Sequence, residues 1–240
     1  MNLISSGNAA ATDFESRISD PQPVNGLQSG RRRPMTETST RTHSPRQREI
    51  LDRTLELVRE GGLGGLTIKK IAERVGFAEA ALYRHFATKQ ALLLGLMDRL
   101  EDMLLEPIRA IAGDASLSAP ERLERIVRHH TKVVREHDSL PIMLLAEASA
   151  SGDPTLVGRM RAIFHAYLSL LESVAREGQA RGEIVDGVEP DCLAILLLGA
   201  PAALAIRHRL LPDARAEDRF EGTLIPFLRS QIDTSEGRTK

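Results

Sequence analysis

Aromatic side chains are scarce in this chain: Phe, Tyr and Trp make up 3% of its 240 residues, and Trp is absent. Its core must therefore rely on Leu, Ile, Val, Ala and Met. There is one cysteine, Cys192, which excludes an intrachain disulfide and fits a reducing cytoplasm. β-branched runs are rare, while Leu, Ala, Arg and Glu dominate, so an all-α fold is expected. No uninterrupted apolar run reaches the ~18 residues of a membrane span. The longest, near residues 193–206, is broken by Pro201. The N-terminus lacks the basic-then-apolar order of a signal peptide. No Ser/His/Asp arrangement, phosphate loop or metal motif stands out, so neither an enzyme nor a cofactor is expected. At this length, with 42% hydrophobic residues, the chain can form one or two domains with a substantial core.

A formal net charge of −1 conceals an asymmetry. Residues 31–90 carry 13 Lys/Arg against seven acids, whereas residues 91–240 carry 18 against 23. A basic segment on an otherwise acidic chain is the electrostatic footprint of phosphate binding. Within that segment lies LTIKKIAERVGFAEAALYRHFATK, residues 66–89. Thr67 can cap a helix whose Ile68, Ile71, Ala72 and Val75 share one face. Gly76 suits its left-handed end. A second short helix, residues 79–85, buries Leu82 together with the following Phe86. Two short helices around a glycine turn make a helix-turn-helix, whose second helix enters the major groove of DNA.

These residues carry a family resemblance. Thr67, Ile71-Ala72, Gly76-Phe77, Leu82-Tyr83-Arg84-His85-Phe86 and Lys89 resemble the DNA-binding domain of TetR/AcrR-type transcriptional regulators. Ala78 departs from the family's usual serine cap, and Phe77 is bulkier than the usual valine. The resemblance implies that Tyr83, His85 and Lys89 contact phosphates. Thr67, Lys69 and Lys70 converge on an anion at the start of the second helix. Ala80, Ala81 and Arg84 are placed to meet base edges, Arg84 matching guanine O6 and N7.

Residues 1–43, rich in Ser, Thr, Gly and Pro, read as a disordered tail. Its Arg31-Arg32-Arg33 and Arg41 suit either extra DNA contacts or solubility. Residues 44–90 form the helix-turn-helix domain. Ser44-Pro45 opens a helix with a buried stripe of Ile50, Leu51, Thr54, Leu55 and Val58. Thr88 caps a fourth helix, and five more follow, with a break expected at Pro226. That makes nine helices in two domains, with residues 235–240 as a flexible end. Residues 91–234 resemble a ligand-binding and dimerisation domain. His130 and His137 fall on one apolar stripe, seven apart, and Tyr167 falls on another. They are candidate ligand contacts together with Glu147, or else core or domain-edge residues. Glu147 and the histidines match no recognised metal spacing.

Residues 191–209 are apolar nearly all round, which calls for cover on every side and so for a partner subunit. Leu197 and Leu224 are candidate positions in an intersubunit bundle of the last two helices. The expected protein is a cytoplasmic, homodimeric repressor on a near-palindromic operator, released by an apolar or amphipathic inducer and requiring no membrane. The alternative is a ligand-independent DNA binder of the nucleoid-occlusion or cell-division type.

Overall fold

The computed structural model describes residues 43–137, 139–211 and 216–232. Residues 1–42 of the expected tail, with Arg31-Arg32-Arg33 and Arg41, and the expected flexible end at 235–240 lie outside the described residues; the last tail residue, His43, has its Nε2 3.2 Å from Asp98 Oδ2. Among those described, nine α-helices form and no strand does: α1 Pro45–Gly61, α2 Ile68–Val75, α3 Glu79–His85, α4 Lys89–Ala112, α5 Ala119–Glu136, α6 Leu140–Ser151, α7 Pro154–Ala180, α8 Pro190–Leu210 and α9 Ala216–Ile232.

Local chemistry sets the helix starts. Ser44 accepts from the Gln47 N–H while the Gln47 side chain returns to the Ser44 N–H, closing a capping box on α1. Ser118 and Glu121 do the same for α5. Thr67, Thr88 and Asp153 cap α2, α4 and α7 with single side chains. Gly76 ends α2 at φ 74°, ψ 34°, a left-handed geometry that costs glycine little. α8 runs through Pro201 over its expected span, and α9 continues through Pro226, where the sequence reading places a break. A proline inside a helix removes one backbone bond and crowds the preceding turn, at a cost of ~3 kcal/mol that packing can offset.

The stripe of α1 is buried as its spacing predicts: Ile50, Leu51, Thr54, Leu55 and Val58. With Ile71, Leu82 and Phe86 it packs onto the first half of α4. Gly95 allows that approach, since a Cβ there would sit 2.9 Å from Leu51 Cδ2 and 3.1 Å from Phe86 Cε1. The second half of α4, from Leu100 to Ile108, belongs to the same continuous core and packs on α5 and α7. One helix therefore joins the helix-turn-helix to the rest of the chain.

Two ionic groups, one half-buried and one centred on a buried arginine, fasten this joint. Arg159 of α7 donates through Nε to Asp98 Oδ1 at 2.9 Å and also pairs with Glu101, both on α4. Burial alone would raise the Glu101 pKa, but bonds from Arg159 and Arg109 outweigh it and hold the carboxyl below its usual range. Arg122 of α5 is 2% exposed and donates through Nη1 to Ala112 O and to Glu177, each at 2.9 Å. It thereby satisfies a carbonyl at the end of α4 and ties α4, α5 and α7 together.

Candidate DNA-binding surface and ligand pocket

The recognition helix α3 has no side-chain cap, because its N-cap is Ala78. Other groups compensate. Gln47 Nε2 donates to His85 O at 3.1 Å, satisfying a carbonyl at the far end. His85 stacks on Phe77 with ring centroids 6.1 Å apart, and the Arg46 guanidinium lies 3.9 Å from the Phe77 centroid. The bulk of Phe77 thus makes a platform beside α3. Leu82 and Phe86 are buried, which turns Ala80, Tyr83 and Arg84 outward, while Ala81 and His85 are half-buried.

At the start of α2, the Thr67 hydroxyl accepts from the Lys70 N–H at 3.2 Å. Lys70 Nζ donates to Gly65 O at 2.9 Å, and Lys69 is exposed. Lys89, in the first turn of α4, has its ammonium 2.9 Å from Glu147 Oε1 of α6.

A cavity of about 430 Å³ opens among five helices, with Leu104 of α4, Val134 of α5, Leu145 of α6, Phe164 of α7 and Ala202 of α8 in its wall. His130 and Tyr167 meet on that wall, His130 Nδ1 lying 3.1 Å from the Tyr167 hydroxyl with the rings edge to face at 5.2 Å. Burial, and secondarily His129, pushes the His130 pKa down to about 3. Burial raises the Tyr167 phenol. Both are neutral near pH 7, so they form a hydrogen-bonded pair without charge in an apolar wall.

The other two expected ligand contacts do not join them. His137 is the C-cap of α5, and its Nδ1 accepts from Arg59 Nη2 of α1 at 2.8 Å. Burial, then Arg59, lowers its pKa. Seven residues return to the same helix face but advance roughly 10 Å along the axis, which carries His137 past the cavity. Glu147 points to Lys89 instead, although its neighbours Leu145, Ala148 and Ser149 face the cavity. The sequence reading overlooked Arg161 on the cavity wall. Its signal was present, since Arg161 falls four after Val157 and three before Phe164 on the stripe of α7.

Leu197, expected in the intersubunit bundle, is instead 1% exposed and packs within its own chain, while its neighbour Leu196 is 66% exposed. Leu196, Ala203, Ile206 and Leu210 lie along an uncovered face, with Phe227 of α9 also exposed. Because it continues through Pro201, α8 is long and apolar enough to cross a membrane by length and composition, contrary to the expectation from its broken apolar run. One face already packs on α7 and α5, and 33% of that apolar stretch is buried within the chain.

Residues 50–96 match the family model for bacterial regulatory proteins of the tetR family, and residues 97–202 match that for the C-terminal region of YsiA-like proteins. The nucleoid occlusion factor SlmA of Vibrio vulnificus is 29% identical over 190 residues, covering 79% of this chain and 87% of that protein. Two solved structures share the fold. FadR of Bacillus subtilis, in complex with stearoyl-CoA, is 21% identical with a TM-score of 0.65, covering 77% of this chain and 98% of its own. A transcriptional regulator of Saccharomonospora viridis, in complex with choline, is 22% identical with a TM-score of 0.70, covering 78% and 97%. Both halves of the architecture, helix-turn-helix and helical body, agree with these matches, and the chain belongs to the TetR/AcrR family of transcriptional regulators.

Proposed function

We propose that this chain is a homodimeric cytoplasmic repressor that leaves its operator when an apolar or amphipathic molecule fills the cavity. The arrangement of α6 carries this reading. Leu145 and Ala148 face the cavity, while Glu147 between them holds Lys89, a phosphate-contact position of the family motif. A ligand that shifts α6 therefore acts on a DNA-contacting side chain through one ion pair. Such a ligand need only bind one arrangement of α6 better than the other to move the population.

On the DNA, Tyr83, His85, Lys89, Thr67, Lys69 and Lys70 position the protein on phosphates. Ala80, Ala81 and Arg84 read base edges. The uncovered face of α8 and α9 pairs two chains, placing two helix-turn-helix units in successive major grooves. His130 and Tyr167 give the cavity its polar spot. The solved relatives hold molecules as different as stearoyl-CoA and choline, so the fold alone leaves the head group open.

The test is selection of DNA by the purified protein from a random pool, followed by titration of amphiphiles onto the complex. An enriched near-palindrome that is released by a cavity ligand is the expected result. Selection of no motif would overturn the reading. The second reading, a DNA binder of nucleoid-occlusion type, rests on the likeness to SlmA over 87% of that protein's length. It predicts operator binding that no cavity ligand alters.

A further inference from the structure

The wall of the cavity carries one formal charge, Arg161. No carboxylate lines it, and its other ionisable groups are the neutral His130 and Tyr167. Other arginines of the helical body have partners: Arg159 with Asp98 and Glu101, Arg109 with Glu101 and Glu106, Arg122 with Glu177. Among the described residues Arg161 has none. It is exposed, and it shares the wall with Phe164 and Leu145, both of them large apolar side chains about half exposed at 48% and 47%. Exposed apolar residues of the wall mark where the cavity meets solvent. Arg161 therefore stands at the mouth, with an apolar interior behind it.

We infer that Arg161 binds an anionic head group, and that the ligand is an amphiphile whose apolar tail fills the cavity while its carboxylate or phosphate rests on this guanidinium. This assignment rests on the ligand-pocket reading above. An apolar wall holds any tail of suitable size, so it cannot choose a head. A guanidinium offers five N–H donors in a rigid fork that matches two oxygens of a carboxylate or phosphate. A quaternary ammonium head would meet like charge there and find no carboxylate on the wall. A hydroxyl head would gain little beyond what water already provides. The solvent at the mouth also lets a bulkier group continue beyond the anion without entering the protein.

Four probes with the same dodecyl tail separate these cases: dodecanoate, dodecyl phosphate, dodecanol and dodecyltrimethylammonium. Each is titrated calorimetrically, below its micelle concentration and at neutral pH, into the full-length protein and into Arg161→Gln. The anions should bind the wild type roughly tenfold more tightly than the alcohol, with the cation weakest. Arg161→Gln should bring the anions to the alcohol's affinity and leave the alcohol unchanged, while Arg161→Lys should keep part of the preference. The stronger of the two anions identifies the head as carboxylate or phosphate. Equal affinities for alcohol and anions in the wild type overturn the assignment and leave the pocket reading standing. So does an anion preference that survives in Arg161→Gln. Failure of all four probes to bind overturns the pocket reading itself.

Discussion

The ammonium of Lys89 and the carboxylate of Glu147 lie 2.9 Å apart, joining the first turn of α4 to α6. Lys89 is 53% exposed at its side chain, so this is a surface pair of modest strength. A phosphate at the DNA surface would compete for the same cation. Glu147→Gln should therefore strengthen operator binding roughly two- to fivefold, the range that one such pair is worth. Lys89→Ala should weaken binding about equally across DNA sequences and lower the salt slope by about one contact. Fluorescence anisotropy on a selected operator at several salt concentrations measures both. An unchanged affinity in Glu147→Gln would mean that the pair breaks without cost when DNA binds.

The uncovered face of α8 makes a second, sharper distinction. Leu196 and Leu197 are adjacent in sequence, yet the first is exposed and the second buried. Leu196→Glu should yield a soluble, folded monomer by sedimentation, with operator affinity lower by ~100-fold or more because the two half-sites are no longer held together. Leu197→Glu should instead leave little folded protein, because the charge would be buried in the chain's own core. A folded dimer from Leu196→Glu would place the subunit contact on another face.

Much of this fold was legible in the sequence, because local rules set it. Ser44, Thr67, Thr88 and Ser118 are side chains that satisfy free N–H groups within a turn of their own position, and Gly76 takes a backbone geometry that needs no partner. The stripes of α1 and α3 are equally local. What the sequence withheld is which face of an element meets what. His130 and His137 share a stripe, yet one meets Tyr167 and the other meets Arg59, because the neighbours of α5 change along its length. Leu196 and Leu197 are equally apolar, so only the position of α7 and α5 decides which is covered. Glu147 and Lys89 are 58 positions apart, a separation that no spacing rule spans. Arg161 lies on the stripe of α7, but only the fold shows the cavity beside it.

The pair on the cavity wall should make stability depend on pH. His130 has its pKa pushed down from 6.5 to about 3 by burial, so the folded state favours the neutral ring. Below the ordinary value the unfolded chain binds a proton that the folded chain does not, and stability falls as pH drops through the window from about 6.5 toward 3. His137 shifts in the same direction and adds to the slope. Urea unfolding at a series of pH values between about 7 and 5 should show this loss, and His130→Gln should flatten it in part. A slope identical in wild type and variant would mean that the His130 ring accepts its proton in the folded protein without cost.

Tyr167 offers the contrasting test to Arg161. Its hydroxyl is already engaged with His130 at 3.1 Å, deep in the wall and without charge. Removing it leaves the imidazole nitrogen without its partner in an apolar setting, which costs ~1–3 kcal/mol. Tyr167→Phe should therefore lower the thermal midpoint while operator affinity holds. Because the hydroxyl serves His130, dodecanoate affinity should change by no more than about twofold, far less than the loss expected in Arg161→Gln. The preference of dodecanoate over dodecanol should survive in Tyr167→Phe. A large loss of affinity for both probes, with the anion preference intact, would show instead that the ligand itself bonds to the phenol and displaces His130 from it. Thermal denaturation, operator anisotropy and calorimetry on the same preparation distinguish these outcomes, because a purely structural role moves the first and leaves the other two in place.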